Sequence, residues 1–232
     1  MLEEIFFNQQ LGALGITNFL RQTIHWGVAQ GYSLEFLLLL LLLPLAVSLV
    51  AVARYLIGIQ GLGFFTPAMI AVAFLATGIV PGLIIFLAVL LIEILAIWLL
   101  KRLKIHFMAK MSLVLLIGCL AFMPFLFLSL RFQAAVFLNS ALVPVLILIL
   151  IGENLAEVQL KKTPKKAIRA TLETLVLASF SFFILNNVFL KKIMLLYPEL
   201  MIIFIIALNL WIGQFTGLRL IEYHRFRKLL KK

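Results

Sequence analysis

Glu93 is the first residue of this chain that could do chemistry, because it lies near the centre of a long apolar stretch. A charged carboxylate is costly in hydrocarbon, so an acid inside a membrane span is a functional candidate by default. One interpretation is a coupling or translocation site in a transporter. The other is a protonated Glu that hydrogen-bonds to a neighbouring helix, and the sequence leaves both open.

A second polar cluster is predicted at the ends of two other apolar stretches. Glu153 and Glu157 are spaced so that they share one helix face. Near the C-terminus a polar stripe follows at steps of three residues: Thr216, Arg219, Glu222 and Arg225. We expect a guanidinium–carboxylate contact between Arg219 and one of the two acids. The alternative is an ordinary interfacial helix end, where exposed ion pairs contribute little.

Glycines and prolines indicate helix packing and helix breaks. Gly213 and Gly217 form a small-xxx-small surface, which lets two helix backbones approach closely. Pro67 and Pro144 begin similar apolar strings and are predicted to break their helices. The two strings would run in opposite directions, so the two halves of the chain are candidates for inverted repeats, as in many transporters.

The usual catalytic motifs are missing from the sequence. It has no GxSxG, no HExxH, no Gly-rich phosphate loop and no Asp for an intramembrane Asp dyad. The single cysteine, Cys119, excludes an internal disulfide and a Cys-based metal site. We therefore expect a protein without enzyme activity, cofactor or metal.

The candidate residues must be positioned by seven apolar stretches, and composition places these in a bilayer. Of 232 residues, 65% are hydrophobic and the mean hydropathy is +1.20, whereas soluble domains are about 45–50% apolar. We predict an all-α polytopic membrane protein, with an interfacial segment over 1–33 and a seven-helix transmembrane domain with a basic tail over 34–232. The predicted spans are 37–55, 66–77, 83–100, 111–130, 134–152, 164–190 and a last one from 198 past 211.

The positive charges predict the orientation of these spans. All but four of the 20 Lys and Arg residues fall on one side, the exceptions being Arg21, Arg131, Lys191 and Lys192. The positive-inside rule then puts the N-terminus outside and the C-terminus in the cytoplasm of a multi-pass cell-membrane protein. No basic face is interleaved with aromatics, so the net charge of +11 does not indicate nucleic-acid binding.

The second span, 66–77, is the shortest. Twelve residues make about 18 Å of helix at about 1.5 Å per residue, against a hydrocarbon core of about 30 Å. If this span did not cross, the basic cluster 101–110 would lie outside and the charge asymmetry would largely vanish. We therefore expect it to cross, with the loop 58–65 reaching partway into the membrane.

Three stretches of this sequence resemble a known bacterial family. The C-terminal run PELMIIFIIALNLWIGQFTGLRLIEYHRFR is the most specific, and GLGFFTPAMIAVAFLATG and the region around Glu153 add weaker likeness. The family is the seven-transmembrane-helix domain usually fused to an inactive transglutaminase-like domain, and the likeness covers roughly residues 55–228. TPAMIAVAFLATGIVPGLIIFLAVLLIEIL is also similar to the small membrane subunit of poly-gamma-glutamate synthase.

The resemblance implies a role beside ATP-grasp amide ligases that add glutamate-like residues. The implied function is a non-enzymatic membrane subunit that scaffolds a cytoplasmic ligase or helps export its product. Residues 1–33 cannot hold the soluble domain, so a separate extracytoplasmic transglutaminase-like chain is an expected partner, besides the lipid bilayer. The alternative function is a small secondary transporter or channel that uses Glu93 and the helix breaks at Pro67 and Pro144.

The predicted orientation can be checked with fused reporters. A reporter placed after Lys232 should read as cytoplasmic, and one placed beside Arg131 should read as external, because the charge distribution sets these sides. A cytoplasmic signal beside Arg131 would rule out the seven-span topology.

Overall fold

The structure is a computed structural model, and it describes residues 15, 18–59, 61–131, 144, 146–152, 158 and 163–214. Within these ranges every regular element is a helix and no strand occurs, which confirms the all-α prediction for the described part. The elements are α1 (Phe19–Ala29), α2 (Leu34–Val52, continued by a π-helical turn, Ala53–Ile57), α3 (Thr66–Thr77), α4 (Ile79–Leu100), α5 (Phe107–Arg131), α6 (helical over 146–152), α7 (Pro164–Leu185), α8 (Val188–Leu196) and α9 (Pro198–Gly213).

Four helices of the described ranges are long and apolar enough to cross a membrane: Leu34–Ile57, Ile79–Leu100, Phe107–Pro124 and Lys165–Leu185. A fifth crossing is added if α8 and α9, which meet at a bend of 110°, count as one broken span. The short apolar helix α3 has 12 residues. A multi-pass helical membrane protein is therefore established, and the count of seven spans and their orientation stay predictions.

The chain divides into two compact units, the first formed by residues 1–59 and 180–232 and the second by residues 60–179. Helices α2 and α9 form the centre of the first unit and pack directly on each other. Leu42 and Ala46 of α2, and Ile205 of α9, are among the buried residues.

Two polar side chains, Ser48 and Asn209, join α2 to α9 within the apolar part of both helices, and we call this pair the polar clasp. The Nδ2 amide of Asn209 donates to Ser48 Oγ at 2.7 Å and to its own helix at Ile205 O, 2.8 Å away. Ser48 Oγ in turn donates to the carbonyl of Pro44 at 2.9 Å. Such interhelical bonds average about 0.6 kcal/mol inside a membrane, so the clasp fixes how the helices meet more than it stabilises them.

Two amphipathic helices, α1 and α8, pack against both α2 and α9. The backbone N–H of Arg21, in the first turn of α1, donates to Glu199 Oε1 at 3.1 Å. A carboxylate is favoured there because it complements the positive end of the helix dipole. Phe19 and Trp26 stay exposed on α1, as aromatic residues do at membrane interfaces. Burial, followed by the charge of Arg21, lowers the pKa of His25, so the fold favours its neutral imidazole.

The second unit is built around the helical hairpin of α4 and α5. Ala96, Ile97 and Leu100 near the end of α4 pack on Met111 and Val114 near the start of α5. The two helices therefore run in opposite directions, as the predicted topology requires of consecutive spans.

The loop before α3 lies against the side of α7. Thr174 Oγ1 accepts a hydrogen bond from the backbone N–H of Leu62 at 2.6 Å and donates to Ala170 O at 2.7 Å. Gly61 allows this approach, because a Cβ there would lie 2.8 Å from Thr174 Oγ1 and 3.1 Å from its Cα. Irregular backbone at membrane depth is tolerated only where protein covers it, and Thr174, fully buried, is the residue that covers this loop.

Several helix boundaries differ from the sequence prediction. The turn before α4 lies at Gly78, whose φ is 89°, so Pro81 and Gly82 fall inside the first turn of the helix. Pro at the start of a helix costs nothing because the first N–H groups have no intrahelical partner. The predicted helix 164–190 ends instead at Leu185, and Asn187 caps a new helix by accepting from Phe189 N at 2.9 Å.

The predicted proline breaks are only partly observed. Helix α3 spans Thr66–Thr77, the predicted range, with Pro67 in its first turn. Two other prolines, Pro44 and Pro124, lie inside continuous helices, and neither ends its helix. Pro144 is helical and buried, but most of the stretch around it lies outside the described residues.

The loop–helix contact predicts that Gly61 tolerates no side chain. Gly61→Ala should destabilise the protein by about 1–3 kcal/mol, the usual cost of overpacking, because the new Cβ meets the backbone of α7. Thermal unfolding in detergent measures the change. Gly118→Ala is the control, since a Cβ there would lie 3.6 Å from Ile149 Cγ2, an ordinary contact. Equal melting temperatures for the two variants would contradict the close approach.

Candidate functional site

Glu93 is placed by α4, a helix of 22 residues with no other charged side chain between Ile79 and Leu100. The helix forms because its residues are almost all apolar and a bilayer requires every backbone polar group to be paired within the segment. Glu93 is only 3% exposed, although the helix leaves many of its Leu and Ile residues on the surface. The acid therefore faces protein, as intramembrane acids do when they serve a structural or functional role.

The neighbour of the Glu93 carboxyl is Gly152 of α6. A Cβ built on Gly152 would overlap both carboxyl oxygens and the carboxyl carbon of Glu93. The carboxyl thus occupies the space that any other residue at position 152 would fill with its side chain. Position 152 requires glycine because the Glu93 carboxyl approaches its backbone closely, and not because of its backbone dihedral angles.

Apolar residues surround this contact on three helices. Val89 of α4 packs on Ile149 of α6, with Cys119 and Phe122 of α5 beside them. Val89 and Glu93 are one turn apart on α4, as Ile149 and Gly152 are on α6, so α4 and α6 run in the same direction. We call this group of residues, together with Glu93 and Gly152, the three-helix junction.

One carboxyl oxygen of Glu93 has no visible polar partner. Its Oε2 is buried and forms no hydrogen bond to any residue that the structure describes. A buried polar atom without a partner costs about 1–3 kcal/mol, and an unpaired charge costs more. The hydrogen bond to a neighbouring helix, which the structural interpretation of Glu93 requires, is thus not found for this oxygen within the described ranges.

The predicted polar cluster near the two helix ends lies outside the described residues. This applies to Glu153, Glu157, Thr216, Arg219, Glu222, Arg225 and the packing residue Gly217. Gly213 is described and exposed at the end of α9. The contact of Arg219 with an acid and the glycine packing surface therefore stay predictions.

Three further residues of the described spans make contacts between helices that the sequence did not indicate. Gly152, Ser48 and Asn209 are single small or polar residues in apolar helices, and that isolation was the available signal. Small and amide-bearing residues in membrane helices are the ones that join helices together. Their partners could not be read from the sequence, because each contact crosses between helices far apart in the chain.

The described residues include no group of three His, Cys, Asp or Glu side chains that could hold a metal ion. Positive charge is concentrated instead at the loop after α4 and at the start of α7. These residues are exposed: Lys101, Arg102, Lys104, Lys165, Lys166 and Arg169. Arg169 also pairs with Glu173 one turn along α7, at 2.8 Å.

These features define a class of protein, a polytopic α-helical membrane protein with one buried intramembrane acid in its described spans. The chain belongs to the family described as seven transmembrane helices usually fused to an inactive transglutaminase, which it matches over residues 28–230. The family resemblance expected from the sequence is thereby confirmed. No curated protein and no solved structure matches the chain, and the likeness to the poly-gamma-glutamate synthase subunit gains no support.

The three-helix junction predicts a specific coupling between two residues. Gly152→Ala should destabilise the protein because the new methyl group overlaps the Glu93 carboxyl. Glu93→Ala removes the carboxyl, so Gly152→Ala should cost much less in that background. We expect a coupling free energy of about 0.5–3 kcal/mol, the range seen for residues in contact.

Thermal unfolding of the four proteins in detergent measures this coupling. Gly118→Ala of α5 is the matched control, since its Cβ would lie 3.6 Å from Ile149 Cγ2, an ordinary contact. Additive effects of the two substitutions would show that the carboxyl does not lie against Gly152.

Proposed function

We propose that this protein is a non-enzymatic membrane subunit of an ATP-grasp amide-ligase system. It scaffolds the cytoplasmic ligase or helps export the glutamate-type product. The observation that carries the proposal is the family match over 28–230, because the family's helices are usually fused to an inactive transglutaminase. Because the fused domain is inactive, the role favoured for the membrane helices is to bind partner proteins and hold them in position.

The exposed cations on the predicted cytoplasmic side support this role. Lys101, Arg102 and Lys104 follow α4, and Lys165 and Lys166 begin α7, all with exposed side chains. A surface of one sign attracts a partner of the opposite sign and raises its rate of association. A polymer of glutamate-type units is a polyanion, so these cations suit either an acidic patch of the ligase or its product.

Copurification in detergent tests the proposal directly. The protein should recover an ATP-grasp ligase, identified by mass spectrometry, from its native membrane. The triple variant Lys101→Gln, Arg102→Gln and Lys104→Gln should recover it several-fold less at low salt, and the difference from the wild type should shrink at higher salt because exposed charges are screened. Lys192→Gln, on the predicted opposite side, is the control. Recovery of no ATP-grasp ligase would contradict the proposal.

A second candidate function is a small secondary transporter, and the burial of Glu93 favours it. An acid held inside a span is typical of ion and substrate pathways, and Glu93 lies buried against Gly152. Glu93→Gln should abolish solute movement in liposomes while the protein accumulates normally. Gln keeps a hydrogen-bond acceptor and adds donors, so a Glu93 with only a structural role would tolerate the substitution. Unimpaired transport by this variant would therefore count against the transporter candidate.

A further inference from the structure

We propose that Glu93 is a proton-binding site within the membrane, where its carboxyl takes up and releases H⁺ at the three-helix junction. The inference goes beyond the ligase proposal. It deepens the transporter candidate, and in that respect rests on it, by naming the proton as the coupling ion. The two oxygens of the carboxyl share one proton in the loaded state, and that proton passes to water in the unloaded state.

The described part of the chain places no compensating charge near the carboxyl. Helix α3 and the 146–152 stretch of α6 carry no titratable residue. The groups on α5 are Lys110, beside Met111 at the level of Leu100, Cys119, which lies among apolar residues, and Arg131, the last residue of the helix, at the opposite end from Lys110. Lys110 is therefore about two helical turns from Glu93, since Leu100 lies seven residues along α4.

The unpartnered oxygen of the carboxyl also favours proton binding. Glu93 Oε2 is buried and has no hydrogen-bond partner among the described residues. An ionised carboxylate needs donors on both oxygens, and burying it without them is far more costly than burying the neutral acid. Binding a proton removes the charge without requiring any partner residue, so H⁺ is the ligand that this environment suits best.

The shape of the site links proton release to the packing of two helices. Gly152 has no side chain, so its backbone lies directly against the carboxyl. The packing of Val89 on Ile149 covers the neighbouring apolar part of the junction. Glu93 is only 3% exposed, and a separation of α6 from α4 at Gly152 would open the carboxyl to water. Proton release is thereby linked to the relative position of two helices, which is the kind of linkage that a coupled transporter requires.

A metal cation or an ammonium group bound to ionised Glu93 is the competing interpretation. A hard cation takes about six oxygen ligands or more, and within the described ranges no group of three acids, histidines or cysteines could hold one. The experiment below separates this interpretation from proton binding.

Labelling with dicyclohexylcarbodiimide tests the proposal on the whole protein in lipid nanodiscs. The reagent partitions into hydrocarbon and reacts with protonated carboxyls: the acid proton moves to a carbodiimide nitrogen, and a carboxyl oxygen bonds to the central carbon. The acyl group then shifts from oxygen to nitrogen, giving a stable N-acylurea with no leaving group. Mass spectrometry of the peptide that contains Glu93 measures the labelled fraction.

We expect Glu93 to be labelled at neutral pH and Glu93→Gln to remain unlabelled at this position. Labelling should fall about tenfold per pH unit once the pH exceeds the midpoint of a one-proton titration. Gly152→Ala, which displaces the carboxyl, should reduce labelling about tenfold at neutral pH, whereas Gly118→Ala should leave it unchanged. Exposed Glu35 serves as the internal reference for an ordinary carboxyl.

Two outcomes would overturn the proposal. One is a folded wild-type protein in which Glu93 is not labelled and shows no infrared band of a protonated carboxyl that Glu93→Gln removes. The other is labelling that Na⁺ or an ammonium salt suppresses at constant pH and ionic strength, which would assign the site to a cation. Neither result bears on ligase copurification, so the two proposals fail separately.

Discussion

The constraint on which this structure depends is the lack of water inside a bilayer, which obliges each polar group in a span to find its partner within the protein. The described spans meet it in three ways. Asn209 reaches across to Ser48, which itself bonds back to Pro44. Thr174 Oγ1 accepts a hydrogen bond from the backbone N–H of Leu62. Glu93 has no such partner visible for one of its oxygens and is accommodated by burial against Gly152.

Much of the fold was predictable because hydropathy reports directly on the solvent that a helix faces. The spans containing Leu42, Glu93 and Thr174 were found from apolar length alone, and their helices are confirmed. The predicted start of α4 was less accurate, because a sequence does not distinguish a proline in the first turn of a helix from a proline in the preceding loop. Pro81 lies in the first turn. The turn was set instead by Gly78, whose positive φ no sequence rule singled out among 13 glycines.

The candidate site was half predictable for a related physical reason. Glu93 was evident because one charge in a long apolar stretch is rare and costly. Gly152 was not, since a glycine becomes informative only when the residue opposite it is known, and that residue lies on another helix. The clasp of Ser48 and Asn209 was missed likewise. Family membership fixes the class of protein, whereas the roles of these residues follow from contacts between helices.

The contact of Glu93 with Gly152 has a consequence for how the helices assemble. Membrane helices insert separately and then pack side by side, so neighbouring helices must find their axial register without a hydrophobic force between them. A slip of α6 by one turn would bring Leu148 towards the carboxyl, and Leu148 is itself fully buried in the correct setting. Only the glycine leaves room for the acid. The contact of Glu93 with Gly152 therefore fixes the axial register of α6 relative to α4.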